Sequence, residues 1–215
     1  MTQKDIIEKI DHTLLKQTAT QEQIFALCKD ALAFGTATVC IPPCHVKSVK
    51  DKFGDLLKIC TVIGFPNGYS STATKVFEAT DAIAMGADEI DAVINIGWAQ
   101  EEKYDLILEE LLALRQATKG HVLKVIVETC FLSQEQKINL CKTVTEANAD
   151  FIKTSTGFGT GGATQEDVIL FKNHVGKQVK IKAAGGIKTL SDAESYVNLG
   201  CDRIGASSVL AQLKK

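Results

Sequence analysis

Apolar residues recur along this chain with two alternating periods. Short runs rich in Val, Ile and Cys, at residues 37–41 (ATVCI), 57–63 (LKICTVI), 88–94 (DEIDAVI), 122–128 (VLKVIVE), 150–154 (DFIKT), 178–183 (QVKIKA) and 202–206 (DRIGA), have the composition and length of strands. The segments between them space their apolar residues as helices do. Four open on a capping-box pattern: Thr20 with Gln23, Ser133 with a Glu or Gln two to three residues on, Thr164 with Asp167, and Ser191 with Glu194. The joints FGTATVC, MGADEID, ANADFIK and LGCDRIG each put a small pair after a helix and start a strand within about three residues. This is a weak internal repeat of βα units. A further short strand at residues 10–14 (IDHTL), after an N-terminal helical turn, brings the count to eight. The pattern predicts an α/β chain forming one (β/α)8 TIM barrel over residues 1–215, with a short N-terminal helix. An open doubly wound sheet competes, but no GxGxxG follows the first strand.

Side chains alternate across a strand, so one parity of each barrel strand faces the helices and the other fills the interior. The helix-facing parity is apolar: Val39 and Ile41, Ile90, Ala92 and Ile94, Val125 and Val127, Ile152, Val179 and Ile181. The opposite parity holds Asp11, Thr13, Thr38, Cys40, Glu89, Asp91, Lys124, Glu128, Lys153, Lys180 and Lys182. Four lysines and four carboxylates thus point inward, where an unpaired charge is very costly. Lys124, Lys180 and Glu89 read as structural ion pairs or solvated strand ends, and Glu128 stands open between a structural and a functional role. Lys153 and Lys182 end their strands just before loops rich in Ser, Thr or Gly, on the face where barrel enzymes build active sites. Two such ammonium groups repel one another, which lowers the pKa of at least one and frees an amine to attack a carbonyl. The resulting Schiff base is an electron sink, with Asp91, acting through a water, as the best placed acid/base.

Charge narrows the partners. With 24 basic and 26 acidic residues and no run of one sign, the chain offers no nucleic-acid or membrane-binding face, which leaves a small molecule. The N-terminal MTQKDIIEKIDHTLLK is charged where a signal peptide is apolar, no stretch approaches a membrane span, and a cytoplasmic location is expected. Seven cysteines, an odd number scattered through apolar segments, read as free thiols. Cys40, Cys44 and His45 lack a second ligand pair at zinc spacing, and no metal is expected. Turns at 184–187 (AGGI) and 205–208 (GASS) follow the last two strands and lead into helices, so backbone N–H groups and helix ends are available to a phosphate there. The loop at 157–162 (GFGTGG) reads as a mobile lid or a tight connection.

FIKTSTGF around Lys153, VKIKAAGGI around Lys182, GADEIDAVINIG around Asp91, and RIGASS near the C-terminus resemble the deoxyribose-phosphate aldolase family, as do KIDHTLL and TVCIPP. The resemblance runs from about residue 8 to 210. It implies reversible cleavage of 2-deoxy-D-ribose 5-phosphate to D-glyceraldehyde 3-phosphate and acetaldehyde, without metal or organic cofactor. Carried over by motif, Lys153 is the Schiff-base nucleophile, Lys182 the second lysine that tunes it, and Asp91 the acid/base partner. Asp11, Thr13, Cys40 and Thr156 would line the pocket, and Gly185, Gly186, Gly205, Ser207 and Ser208 would hold the phosphate. The chain departs from longer members of the family at Phe158, where some carry a phosphate-binding lysine, and in ending at Lys215 without their tyrosine-terminated tail. A homo-oligomer, dimer or tetramer, is expected. Two alternatives remain: another Schiff-base aldolase or transaldolase-like barrel, and a catalytically inactive sugar-phosphate-binding barrel.

Overall fold

A computed structural model describes residues 1–213; the chain end at Lys215 lies outside the described residues. Eight parallel strands close in sequence order: β1 (Ile10–Thr13), β2 (Thr38–Ile41), β3 (Ile59–Ile63), β4 (Glu89–Val93), β5 (Val122–Ile126), β6 (Phe151–Lys153), β7 (Lys180–Ala184) and β8 (Arg203–Ala206), with β8 pairing back onto β1. Closure excludes the open doubly wound sheet. The helices are α1 (Gln3–Ile7), α2 (Gln21–Phe34), α3 (Val46–Phe53), α4 (Thr72–Ala84), α5 (Ile96–Gln100), α6 (Tyr104–Ala117), α7 (Gln134–Glu146), α8 (Gln165–His174), α9 (Leu190–Leu199) and α10 (Val209–Leu213). None of them is long and apolar enough to cross a membrane.

The main apolar core lies between strands and helices. Val39, Ile41, Ile90, Ala92, Ile94, Val125, Val127, Ile152, Val179 and Ile181 are all buried there. The helices meet them with matching stripes; in α2 these are Ile24, Leu27, Cys28 and Ala31.

The repeated joints have a physical basis. The residue just before each even-numbered strand donates its N–H to the first or second carbonyl of the preceding strand: Ala37 to Ile10, Asp88 to Ile59, Asp150 to Leu123 and Asp202 to Ile181. In the last three the same aspartate also accepts, through its carboxylate, from Ile59 N at 2.8 Å, Leu123 N at 2.8 Å and Ile181 N at 3.0 Å. Each such aspartate therefore pins an even strand to the odd one before it, which sets the register that carries the interior charges.

Two of the predicted caps form as full boxes, Thr20 with Gln23 and Ser133 with Gln136. Thr164 caps α8, but Asp167 turns its carboxylate to Lys137 at 2.6 Å instead of back to the cap. The cap expected at Ser191 with Glu194 is a correction: Thr189 and Asp192 form the box, and Ser191 lies inside α9. The earlier start packs Leu190 against the core together with Ala193 and Val197.

Candidate active site

Every strand sends an ionisable side chain to the barrel interior. Asp11 comes from β1, Cys40 from β2, Cys60 from β3, Glu89 and Asp91 from β4, and Lys124, Lys153, Lys182 and Arg203 from β5 to β8. Lys180, expected among them, is exposed at the start of β7, as a solvated strand end would be. The fourth inward cation is Arg203. Glu128 is buried past the end of β5, in a left-handed conformation with φ 57°.

The centre of the cluster is Asp91. Its Oδ2 accepts from Lys153 Nζ and Lys182 Nζ, each at 2.7 Å, while Oδ1 accepts from Lys124 Nζ at 2.9 Å. Lys182 also donates to Asp11 Oδ2 at 2.5 Å, and Lys124 reaches Glu89 at 2.5 Å. Burial pushes the Asp91 carboxyl up, but the three ammonium groups outweigh it and hold the acid well below the ordinary carboxylate range. Burial likewise opposes the charge on Lys182, and the carboxylates of Asp11 and Asp91 overcome that, so this lysine is held above its ordinary value. Lys182 is thus not lowered by ammonium repulsion, because two carboxylates contact its ammonium.

Register explains how two lysines come together. Lys153 and Lys182 are direct partners across β6 and β7. Thr154 staples the two strands just beyond, its hydroxyl donating to Ala184 O and accepting from Ala184 N, both at 3.1 Å. Lys182 and Asp91 are fully buried, whereas Lys153 lines a cavity of about 370 Å³ at the C-terminal end of the strands. The cavity wall includes Thr13, Thr156, Gly185, Gly186, Gly205 and Ser207. Asp11 and Cys40 lie fully buried outside its lining, and Ser208 stands aside with its hydroxyl donating to Lys188 O.

The two glycine turns contribute main chain to this wall. Gly185 and Gly186 have φ of 85° and 79°, which keeps side chains away from the surface. At the start of α9, Asp192 accepts from Lys188 N and Thr189 N, the two amides just before the helix. Just past the 157–162 loop, Ala163 N donates to Ala184 O and Gly185 O, and Tyr196 Oη donates to Ala163 O. Phe158 lies at the cavity wall, edge-on to Phe65 at 5.3 Å between centroids.

Three residues near the cavity or cluster were not predicted. Arg203 and Cys60 sit on inward parity of β8 and β3 and were open to the same rule. Lys16 lines the cavity from the loop after β1, where no periodicity marks it. Cys40, Cys60 and Asp91 bring possible metal-ligand atoms within 4.8 Å of one another. Lys124 Nζ already stands 3.4 Å from Cys60 and 2.9 Å from Asp91, so a dication would add charge where cations are in excess.

A closed parallel barrel with a lysine-lined cavity beyond the C-terminal ends of its strands is the architecture of a barrel enzyme that works through an amine. A model of the DeoC/LacD family aldolases matches residues 6–215, and the chain belongs to that family. It is 54% identical over 211 residues to a deoxyribose-phosphate aldolase of Clostridioides difficile (strain 630), covering 98% of this chain and 96% of that one. Among solved structures, the aldolase QR15 superposes with a TM-score of 0.93 at 39% identity, covering 98% of this chain and 96% of that one. A deoxyribose phosphate aldolase from Aeropyrum pernix, described as a unique tetrameric structure, gives 0.91 at 30% identity, over 100% of this chain and 93% of that one.

Proposed function

We propose that the chain acts as one catalytic domain that reversibly cleaves 2-deoxy-D-ribose 5-phosphate to D-glyceraldehyde 3-phosphate and acetaldehyde through a Schiff base on Lys153. The carrying observation is that Lys153 alone of the Lys153–Asp91–Lys182 triad lines the cavity, with its ammonium on the Asp91 oxygen that Lys182 shares.

Lys153 attacks the C1 aldehyde of the open-chain sugar, and loss of water leaves an iminium. The C3 hydroxyl then gives up its proton, the C2–C3 bond breaks, and its electron pair passes into the iminium to form an enamine. D-Glyceraldehyde 3-phosphate leaves. Protonation of the enamine and hydrolysis of the two-carbon iminium release acetaldehyde and the free lysine. Asp91, ionised at rest, is the acid/base partner by relay: its Oδ2 contacts both amines, so it takes a proton from one as it gives one to the other, with a water completing the path to substrate. Thr13 and Thr156 contact the sugar, Asp11 and Cys40 act from beneath it, and the Gly185, Gly186, Gly205, Ser207 and Ser208 backbone takes the phosphate, with Lys16 as a nearby cation.

The enzyme is cytoplasmic and assembles as a homo-oligomer; the second reading is supported by the Aeropyrum pernix structure, which is described as tetrameric. Separate incubation with acetaldehyde, dihydroxyacetone phosphate and pyruvate, each followed by borohydride, tests the substrate. Trapping with acetaldehyde supports the assignment, and trapping only with a ketone donor moves the chain to another branch of lysine aldolases.

A further inference from the structure

Arg203, like Lys124, is an interior cation that no part of the proposed reaction uses. Its Nη1 donates to Asp11 Oδ1 at 2.6 Å and to Glu89 Oε2 at 3.0 Å, and Nη2 donates to Glu89 Oε1 at 3.3 Å. One planar fork therefore joins carboxylates of β1 and β4, strands that are not neighbours in the barrel. From Asp11 the contacts continue upward without a gap: its other oxygen holds Lys182 at 2.5 Å, Lys182 meets Asp91 at 2.7 Å, and the same Asp91 oxygen holds Lys153 at 2.7 Å. The guanidinium also lies 5.4 Å over the ring of Phe151, two residues before Lys153 on β6.

The remaining charges around this chain of contacts come from every side. Lys124 on β5 stands 2.5 Å from Glu89, 2.9 Å from Asp91 and 3.9 Å from Asp11. The thiols of Cys40 and Cys60 face the same interior from β2 and β3. At the far end of the barrel, Glu8, Asp55 and Lys58 line a second cavity, of about 520 Å³, together with Glu89 and Arg203. Within the barrel, Lys124, Lys153, Lys182 and Arg203 meet Asp11, Glu89 and Asp91, four cations against three carboxylates; the buried carboxylate of Glu128, past the end of β5, accepts from Thr156 and forms no ion pair with them. Lys124 and Lys182 each touch at least two carboxylates and Arg203 touches two, whereas Lys153 touches one and borders the cavity.

We propose that Arg203 is a positioning residue for imine formation. It takes one oxygen of Asp11 and commits the other to Lys182, and its permanent charge leaves the interior one cation in excess, so that the least-held ammonium, Lys153, is the one that releases its proton. The inference rests on Lys153 being the Schiff-base lysine.

The test is the pH dependence of borohydride trapping of acetaldehyde on Lys153. Arg203→Met balances the interior at three cations and three carboxylates, and the midpoint of the trapping profile moves up by about one pH unit, roughly a tenfold loss of trapping rate below the midpoint. Arg203→Lys keeps the charge and loses the fork, so the midpoint stays near that of the parent enzyme while turnover falls. Glu89→Gln adds to the excess of cations and moves the midpoint down, which keeps the proposal testable if Arg203→Met does not fold. A bracing role alone would lower stability in all three variants and leave the midpoint where it was. If the parent enzyme traps on Lys153 and neither Arg203→Met nor Glu89→Gln shifts the midpoint, this inference is overturned and the Schiff-base reading stands; if the parent does not trap there, both fall.

Discussion

Three ammonium groups on one carboxylate make Asp91 the residue on which the interior depends most. Asp91→Asn leaves Lys124, Lys153 and Lys182 without their shared anion, and a buried charge deprived of its partner costs on the order of 3–5 kcal/mol. We expect a lowered urea midpoint together with a turnover loss of about a hundredfold or more, while acetaldehyde still traps slowly on Lys153. Full turnover in a folded Asp91→Asn enzyme would exclude the relay. Asp91, Lys153 and Lys182 were legible in the sequence because charged residues on the inward parity of a strand are anomalous and can be counted. Arg203 obeys the same parity, but a long cation at the start of a strand reads as solvated. That carboxylates from β1 and β4 converge on it is visible only when the barrel is closed. Lys180 shows the converse, an inward-parity lysine whose place at the strand start keeps it in solvent.

Between elements, a second buried ion pair fastens the helical layer to β4. Lys75 on α4 and Glu110 on α6 are both fully buried, 2.6 Å apart, and Lys75 Nζ also donates to Val93 O at the end of β4, at 2.8 Å. Lys75→Met should destabilise the protein by about 3–5 kcal/mol, and Lys75→Met combined with Glu110→Leu should recover most of it; chemical denaturation of both variants checks this. The glycine turn offers a sharper probe. A Cβ on Gly162 would lie 2.3 Å from Gly185 O, so Gly162→Ala must displace the turn assigned to phosphate. We expect KM for the phosphorylated sugar to rise about tenfold, with a smaller effect on unphosphorylated 2-deoxyribose; an equal change for both would disconnect this turn from the phosphate. Strands were legible at this scale because each is a compact apolar run, and helix starts less so. T-x-x-D at Thr189 and S-x-x-E at Ser191 both satisfy the capping pattern, and only packing of Leu190, Ala193 and Val197 decides between them.

For the whole molecule the paired interior sets the pH range of stability. Asp11 and Asp91 are held below their ordinary value of 3.8, so their contribution is present above that pH and is lost as acid protonates them. Lys124 and Lys182 are held above 10.5, so theirs is present below that pH and lost as alkali removes their protons. Burial pushes the Cys28, Cys141 and Cys201 thiols from 9.0 up to about 12, which adds to the alkaline loss from about pH 9. Urea midpoints should therefore be flat between about pH 5 and 9 and fall on both sides; a steady slope across that window would contradict the pairing. The barrel itself was legible from eight strand runs and a recurrent Gly/Asn-Ala-Asp joint. What the sequence did not reveal is that Asp88, Asp150 and Asp202 use that joint to pin neighbouring strands, because the acceptor they provide serves an amide more than twenty residues away.

The central claim is that Lys153 is the amine that meets substrate. Borohydride reduction in the presence of acetaldehyde, followed by peptide mass mapping, tests it most directly. One ethyl group on the peptide carrying Lys153, absent from Lys182 and Lys124, is the predicted result. An adduct on a different lysine, or none on a folded enzyme that still cleaves 2-deoxyribose 5-phosphate, would contradict the account.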